Sequence, residues 1–360
     1  MNNWLFRMVG CVAVASIVVA APARGQTACD ADMNGDGTVD SADLGTLLSE
    51  WGPCTGCAAD LIDDGQVDSA DLGALLSLWG SPCNPVPWAT VLEQSPDPAI
   101  VTSGSLRKAI AATGLPWRVR DNATNIEMVL IPPGTFNMGC SPSNQFGCNS
   151  AENPVHAVTL TDAFYMGRYE VTQAQWTARM GSNPSSFQSA SAEVPAAQVP
   201  NRPVERVSWD MVQGFLSATG MRLPTEAEWE YACRAGTTTA FHGWPAQTAG
   251  TNNDTLVGNI AWFNGNANSQ TRPVGGKAPN GFGLHDMSGN VFEWVNDWYA
   301  ATYYASSPST NPPGPATGLQ RVLRGGAWSA GSNNLRSSNR LSNLPAAAFN
   351  NGGFRVARTP

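Results

Sequence analysis

The acidic residues between positions 32 and 71 are spaced to surround a cation. Asp32, Asn34, Asp36, the Thr38 carbonyl, Asp40 and Asp43 fall at positions 1, 3, 5, 7, 9 and 12 of one loop, with Gly37 at its sharp turn. A hard cation such as Ca2+ takes six to eight oxygens, and this spacing delivers them. A second loop offers Asp60, Asp64, Asp68 and Asp71 with the Gln66 carbonyl, but Ile62 stands where an oxygen is needed. Weaker binding is expected there.

The elements that must position these oxygens come from a duplication. CDADMNGDGTVDSADLGTLLSEWG (29–52) recurs 28 positions later as CAADLIDDGQVDSADLGALLSLWG, and each copy reads as loop, then helix. Leu44, Leu47, Leu48 and Trp51, like Leu72, Leu75, Leu76 and Trp79, repeat at helical spacing, so the two stripes are expected to pack together. Cys29 with Cys54 and Cys57 with Cys83 bracket the copies equivalently. Disulfides within each copy are the economical pairing, with other connectivities open. The pair resembles a type I dockerin over residues 29–83, a small all-α, EF-hand-type domain, and the resemblance implies docking to a cohesin-like receptor. Ile62 and the added cysteines depart from that pattern.

Residues 1–25 join Arg7 to an apolar run and a small-residue end, the pattern of an export signal, so the mature chain is expected outside the cytoplasm, secreted, periplasmic or at the cell surface. No later stretch reaches about 18 apolar residues, so no membrane span is expected. The formal charge of −8 without a Lys/Arg run excludes a nucleic-acid partner. The chain therefore divides into a signal (1–25), a duplicated cation module (26–84), a linker (85–116) with one helix near 103–112, and a large domain (117–360).

In the large domain WRVRD (117–121) and NIEMVLIP (125–132) read as strands, and Cys140 with Cys148 as a local disulfide. Thr172 with Gln175 and Thr225 with Glu228 match capping boxes, and Ser208 is a simple N-cap. A few helices with short strands and long loops indicate an α+β domain. Seven blocks arrive in order: MVLIPPGTFNMG, HAVTLTDAFYMGRYEVTQAQW, RPVERVSWD, RLPTEAEWEYACRAGT, GFGLHDMSGNVFEW, RVLRGGAW and GFRVAR. Together they resemble the formylglycine-generating enzyme, or sulfatase-modifying factor, family across 117–360. The resemblance implies a C-type-lectin-like fold held by buried Trp residues and Ca2+.

Carried over residue by residue, the resemblance implies a Ca2+ site at the Asp286 side chain, the Gly289 and Val291 carbonyls and the Glu293 carboxylate. It also implies a Cu(I)-binding cysteine pair that oxidises a substrate cysteine, but the matching positions hold Ala330 and Leu335, and the family serine is Ala327. Hydrocarbon offers a soft metal no donor, so copper and catalytic residues are not expected. Cys233 matches a disulfide-bonded family cysteine whose partner position holds Arg340, which leaves Cys233 as the odd thiol. His156, His242 and His285 are scattered, and no Gly-x-Ser-x-Gly elbow occurs. Glu226, Glu228 and Glu230 fall at one helix start, where they favour the macrodipole. Trp328, Ser329, Ser332, Asn333, Asn334, Arg336 and Asn339 instead suit a contact surface for a protein or glycan, while Arg324, Arg336, Arg340 and Arg355 could lock the last strands through carboxylates. The expectation is a calcium-dependent binding or assembly protein; the competing one is an active oxidase acting on sulfatase cysteines.

Overall fold

The computed structural model describes residues 28–81, 83, 86–142 and 144–360, so residues 1–25, expected as an export signal, lie outside the described residues. They form two units, divided between Asn84 and Pro85.

The first unit contains α1 (Ala28–Ala31), α2 (Ser41–Ser49), β1 (Gly52–Pro53), β2 (Gln66–Val67) and α3 (Ser69–Ser77). Asp40 and Asp68 cap α2 and α3, and each box is closed by the aspartate three residues on, Asp43 or Asp71. The two copies exchange partners. Gly52 pairs with Val67 of the second loop, and Gly80 and Ser81, after α3, bond Val39 of the first. This near-twofold exchange brings the start of each copy to the end of the other, so the disulfides are Cys29–Cys83 and Cys54–Cys57, not the expected pairs within each copy. The helix stripes are corrected as well. Leu47 and Leu75 are buried, whereas Leu48, Trp51, Leu76 and Trp79 remain exposed. The helices of so small a unit bury one turn of each stripe and leave the rest in solvent.

The large unit runs through β3 (Ala89–Glu93), α4 (Gly104–Ala111), β4 (Arg118–Asp121), β5 (Glu127–Ile131), β6 (Gly134–Met138), β7 (His156–Leu160), β8 (Phe164–Gly167), α5 (Gln173–Met180), α6 (Trp209–Thr219) and α7 (Glu226–Arg234). It continues with β9 (Ala261–Trp262), β10 (Ser288–Gly289), β11 (Phe292–Trp298), β12 (Arg321–Arg324), β13 (Leu341–Asn343), β14 (Gly352–Phe354) and β15 (Ala357–Arg358). One sheet has the order β15-β8-β5-β4-β3 and another β13-β12-β11-β14. Thr172, Ser208 and Thr225 cap α5, α6 and α7 as the sequence predicts, and α5 and α6 stop at left-handed Gly181 and Gly220. Trp117, Trp176, Trp229 and Trp294 are fully buried. The Trp229 and Trp294 indoles donate to Glu293 and to the Val207 carbonyl, which removes the cost of burying their N–H groups.

Residues 85–116 are not a linker. From Val86 on they belong to the large unit, where β3 pairs with β4 and Val86, Ala89, Val101 and Ile110 join its core. An amphipathic helix with one buried face needs a partner to cover it, and this core supplies one. No helix among the described residues is long and apolar enough to cross a membrane.

Candidate functional site

The late segment leaves β12 through Gly325 and Gly326, both left-handed (φ +86° and +79°). A Cβ at Gly326 would collide with Leu335 Cδ2, so this turn requires glycine. Beyond it Ala327 is buried, and the Ala330 carbonyl accepts from Asn264 N at 3.1 Å. A single 3-10 turn, Ser332–Leu335, follows. Leu335 is completely buried and its carbonyl accepts from Ser288 Oγ at 3.0 Å. The two positions at which the family resemblance implies soft-metal ligands thus carry hydrocarbon, and both side chains lie in the core. Cys233 is the one free cysteine among the described residues; it is buried, and burial pushes its thiol up to about 11, so it is not a thiolate at neutral pH.

Every arginine of the segment is held by a buried carboxylate. Arg336 makes a two-armed pair with Glu152 (2.5 and 2.7 Å), and Arg340 another with Glu226 (2.6 and 2.8 Å). Arg324 bonds Glu230 at 2.5 Å, and Arg355 clasps Glu293 at 2.6 and 2.8 Å. Burial alone would raise the Glu226 carboxyl, but Arg340 and Arg324 hold it below the ordinary value. Glu226 and Glu230 are therefore ion-pair partners first, and Glu228, which closes the Thr225 capping box as expected, is paired with Arg222 as well, at 2.6 and 2.7 Å. The surface expected along 328–339 is smaller than the sequence suggests. Ser329 and Asn333 are exposed and Trp328, Ser332 and Asn334 half-buried, whereas Arg336 and Asn339 are buried and face inward. The buried Glu152 offers both of its oxygens to the Arg336 guanidinium and so draws it inward. Trp328 stands edge-on to Phe187, with centroids 5.4 Å apart.

The turn 286–293 concentrates charge. Asp286 and Glu293 are buried beside Glu170, with Arg355 as the guanidinium among them. Burial raises Asp286 to about 6 and pushes Glu170 well above the ordinary carboxylate range. One oxygen of Asp286 accepts from Gly275 N at 2.6 Å, while Oδ1 is buried without a partner. That orphan oxygen fits a cation. Glu293 is differently placed, because Arg355 and the Trp229 indole occupy both of its oxygens. In the first unit the loop carboxylates bond backbone: Asp32 accepts from Asp36 and Gly37, and Asp43 from Met33, Asn34 and Asp40. In the second loop Asp60, Asp64, Asp68 and Asp71 do the same, and Ile62 packs against the small core. Among the described residues no three His, Cys, Asp or Glu side chains gather around one point as a metal centre.

Glu152, Glu170 and Glu205 escape sequence reasoning. Glu152 meets Arg336 184 residues on and Glu170 meets Asn290 120 residues on, whereas Glu205 meets Phe187 18 residues back. Glu205 is buried, accepts from Phe187 N at 2.9 Å and leaves Oε2 unpartnered; burial raises it to about 7. A carboxyl raised on folding contributes stability that is complete below about 4.5 and is lost as pH climbs through 7. Glu205→Gln is therefore expected to leave the melting temperature at pH 5 nearly unchanged and to raise stability at pH 8 by on the order of 2 kcal/mol. Thermal unfolding at the two pH values checks this.

A family model described as the sulfatase-modifying factor enzyme 1-like domain matches residues 115–360. The chain belongs to this family. The formylglycine-generating enzyme of Streptomyces coelicolor is 40% identical over 174 residues, covering 44% of this chain and 53% of that one. The chain thus spans about half the length of that relative. The formylglycine-generating enzyme of Thermomonospora curvata is 32% identical over 286 residues, with 65% of this chain and 93% of that one covered. Among solved structures, Treponema denticola variable protein 1 superposes with a TM-score of 0.57 at 30% identity, covering 65% of this chain and 95% of that chain. The α+β fold expected from the motif blocks is the fold of the sulfatase-modifying-factor family, and its late segment contains both Ala330 and Leu335.

Proposed function

We propose that this member of the sulfatase-modifying-factor family is a non-catalytic binding or assembly protein, exported and held in place by its duplicated N-terminal unit. One observation carries the reading: Ala330 and Leu335 stand where the family resemblance requires thiolates, and Leu335 packs into the core. Neither side chain has a donor atom, so no step through copper is derived for this chain. The edge formed by half-buried Trp328 and Phe187 with exposed Ser329 and Asn333 supplies an aromatic pair flanked by hydroxyl and amide groups, the chemistry of a protein or glycan contact.

Calcium belongs to the same proposal. In the first unit Asp32, Asn34, Asp36, the Thr38 carbonyl, Asp40 and Asp43 would hold it, with the second loop weaker because Ile62 supplies no oxygen. At the turn 286–293 Asp286 and the Gly289 and Val291 carbonyls would bind it, with Glu293 contributing charge from its pair with Arg355. The ion would supply rigidity to the turn and compensate buried negative charge. The exposed Leu48, Trp51, Leu76 and Trp79 suit docking of the first unit to a cohesin-like receptor.

Similarity to formylglycine-generating enzymes favours the second reading, an active oxidase. Purified protein is incubated with Cu(I), O2 and a Cys-x-Pro-x-Arg peptide, and the peptide is examined for aldehyde by mass spectrometry. No aldehyde, together with chelator-sensitive retention of a protein or glycan on the immobilised chain, is the expected result. Turnover to aldehyde would overturn the proposal.

A further inference from the structure

We propose that the disulfide between Cys140 and Cys148 acts as a covalent clamp on the late segment, with Glu152 as the positioning residue that transmits it. The connection starts at the half-buried cysteines and converges on the buried Glu152, Arg336 and Ser338. Cys140 N donates to the Glu152 carbonyl at 2.9 Å, which fastens the end of β6 to the residue that closes the disulfide-bearing excursion. The approach depends on Gly139, left-handed at φ +112°, where a Cβ would lie 2.6 Å from that carbonyl oxygen. After Cys148, Asn149 opens a single 3-10 turn that ends at Glu152, and Asn149 N donates to Glu152 Oε1 at 3.2 Å.

Glu152 is fully buried and faces the late segment. Its oxygens accept from both Arg336 amines at 2.5 and 2.7 Å and from Ser338 Oγ at 2.7 Å. The other edge of the same guanidinium donates from Nε to the Asn333 carbonyl at 2.9 Å. One arginine therefore ties the exposed turn at Asn333 to a carboxylate on the disulfide-bearing excursion. A second tie runs in parallel. Gln145 N donates to Asn252 O at 3.2 Å, Asn252 Nδ2 returns to Pro142 O at 3.3 Å, and two residues on Asp254 accepts from Ser332 Oγ at 2.6 Å.

Physical chemistry gives the clamp its consequence. If the excursion loosens, Glu152 withdraws and Arg336 becomes a buried charge without a partner, a state costly enough that the segment must rearrange around it. The disulfide restricts the number of open conformations available to the excursion, so closure favours the geometry that presents Glu152. The importance of this geometry for a ligand rests on the binding reading above. The clamp itself does not, because it is read without ligand.

The test is hydrogen exchange by mass spectrometry on the full chain, comparing the unaltered protein with Cys140→Ser/Cys148→Ser and with Glu152→Gln. Peptides covering 328–340 are expected to exchange roughly tenfold faster in both variants, while peptides covering β4, β5 and the first unit keep their rates. Unchanged exchange in 328–340 in either variant overturns the proposal, and so does acceleration spread evenly over the large unit. Should Glu152→Gln fail to fold, Ser338→Ala removes a single bond to the same carboxylate and gives the comparison. These outcomes stand apart from the aldehyde and retention assays, so loss of the clamp and loss of the binding reading are separable.

Discussion

The Ala330→Cys/Leu335→Cys variant is expected to take up one Cu(I) per chain, whereas the unaltered protein takes up none stoichiometrically. Ala330 precedes and Leu335 ends a 3-10 turn whose backbone is fixed on both sides, at the Ala330 carbonyl by Asn264 and at the Leu335 carbonyl by Ser288. Side-chain exchange there leaves the backbone bonds in place. Replacing the buried Leu335 isobutyl group by a thiol removes packing against Gly326 at a cost of about 1–3 kcal/mol, which a domain with this many buried side chains tolerates. Two thiolates then offer the soft donors that a methyl and an isobutyl group lack. Anaerobic titration against a chromophoric Cu(I) competitor measures the stoichiometry. Aldehyde formation is not expected from uptake alone, since Ala327 still replaces the family serine in the same turn. Equal copper uptake by the unaltered protein would defeat the whole non-catalytic reading.

How much of this was legible depended on the range of each interaction. Helix starts at Thr172, Ser208 and Thr225 are local chemistry within four residues, and the structure places all three caps there. The match of Ala330 and Leu335 to the family's cysteine positions is what the resemblance around Gly325 and Gly326 implies; the structure adds that both side chains are buried. The disulfides of the first unit were not, since two similar copies can pair within themselves or exchange, and only the pairing of each loop with the segment following the other helix decides between them. Residues 85–116 looked like a linker because β3 and the buried face of α4 gain their partners from β4 and from a core formed later in the chain. Arg336 and Asn339 read as surface residues for a similar reason. Glu152, which draws Arg336 inward, lies 184 residues away, and no periodicity reports a contact of that length.

Arg324→Ala is expected to lower the stability of the large unit by about 3–5 kcal/mol, among the largest effects of any single substitution in this chain. The guanidinium is fully buried over the Trp229 ring, 5.1 Å from its centroid. Nη2 donates to Glu230 at 2.5 Å and to Ser337 O at 2.7 Å, and Nη1 to Ser338 O and Asn339 O at 3.1 and 2.8 Å. The substitution leaves those three carbonyls without this donor and removes a positive charge from between Glu226 and Glu230. Arg340 continues to neutralise Glu226, and Arg234 continues to bond Glu230 at 2.9 Å, so the domain is weakened rather than abolished. Because Arg324 and Arg340 lower the Glu226 carboxyl, the stability tied to that pair is present above the unfolded value and disappears as pH falls through the folded one. The gap between variant and unaltered protein should therefore narrow in acid, which urea unfolding at pH 7 and pH 3.5 would show. Arg324→Lys separates the charge from the fork of donors: it keeps a cation between Glu226 and Glu230 while giving up most of the bonds to 337–339, and stability should recover in part. A lysine variant as unstable as Arg324→Ala would mean that the carbonyls of 337–339, not the ion pair, dominate the contribution of this arginine.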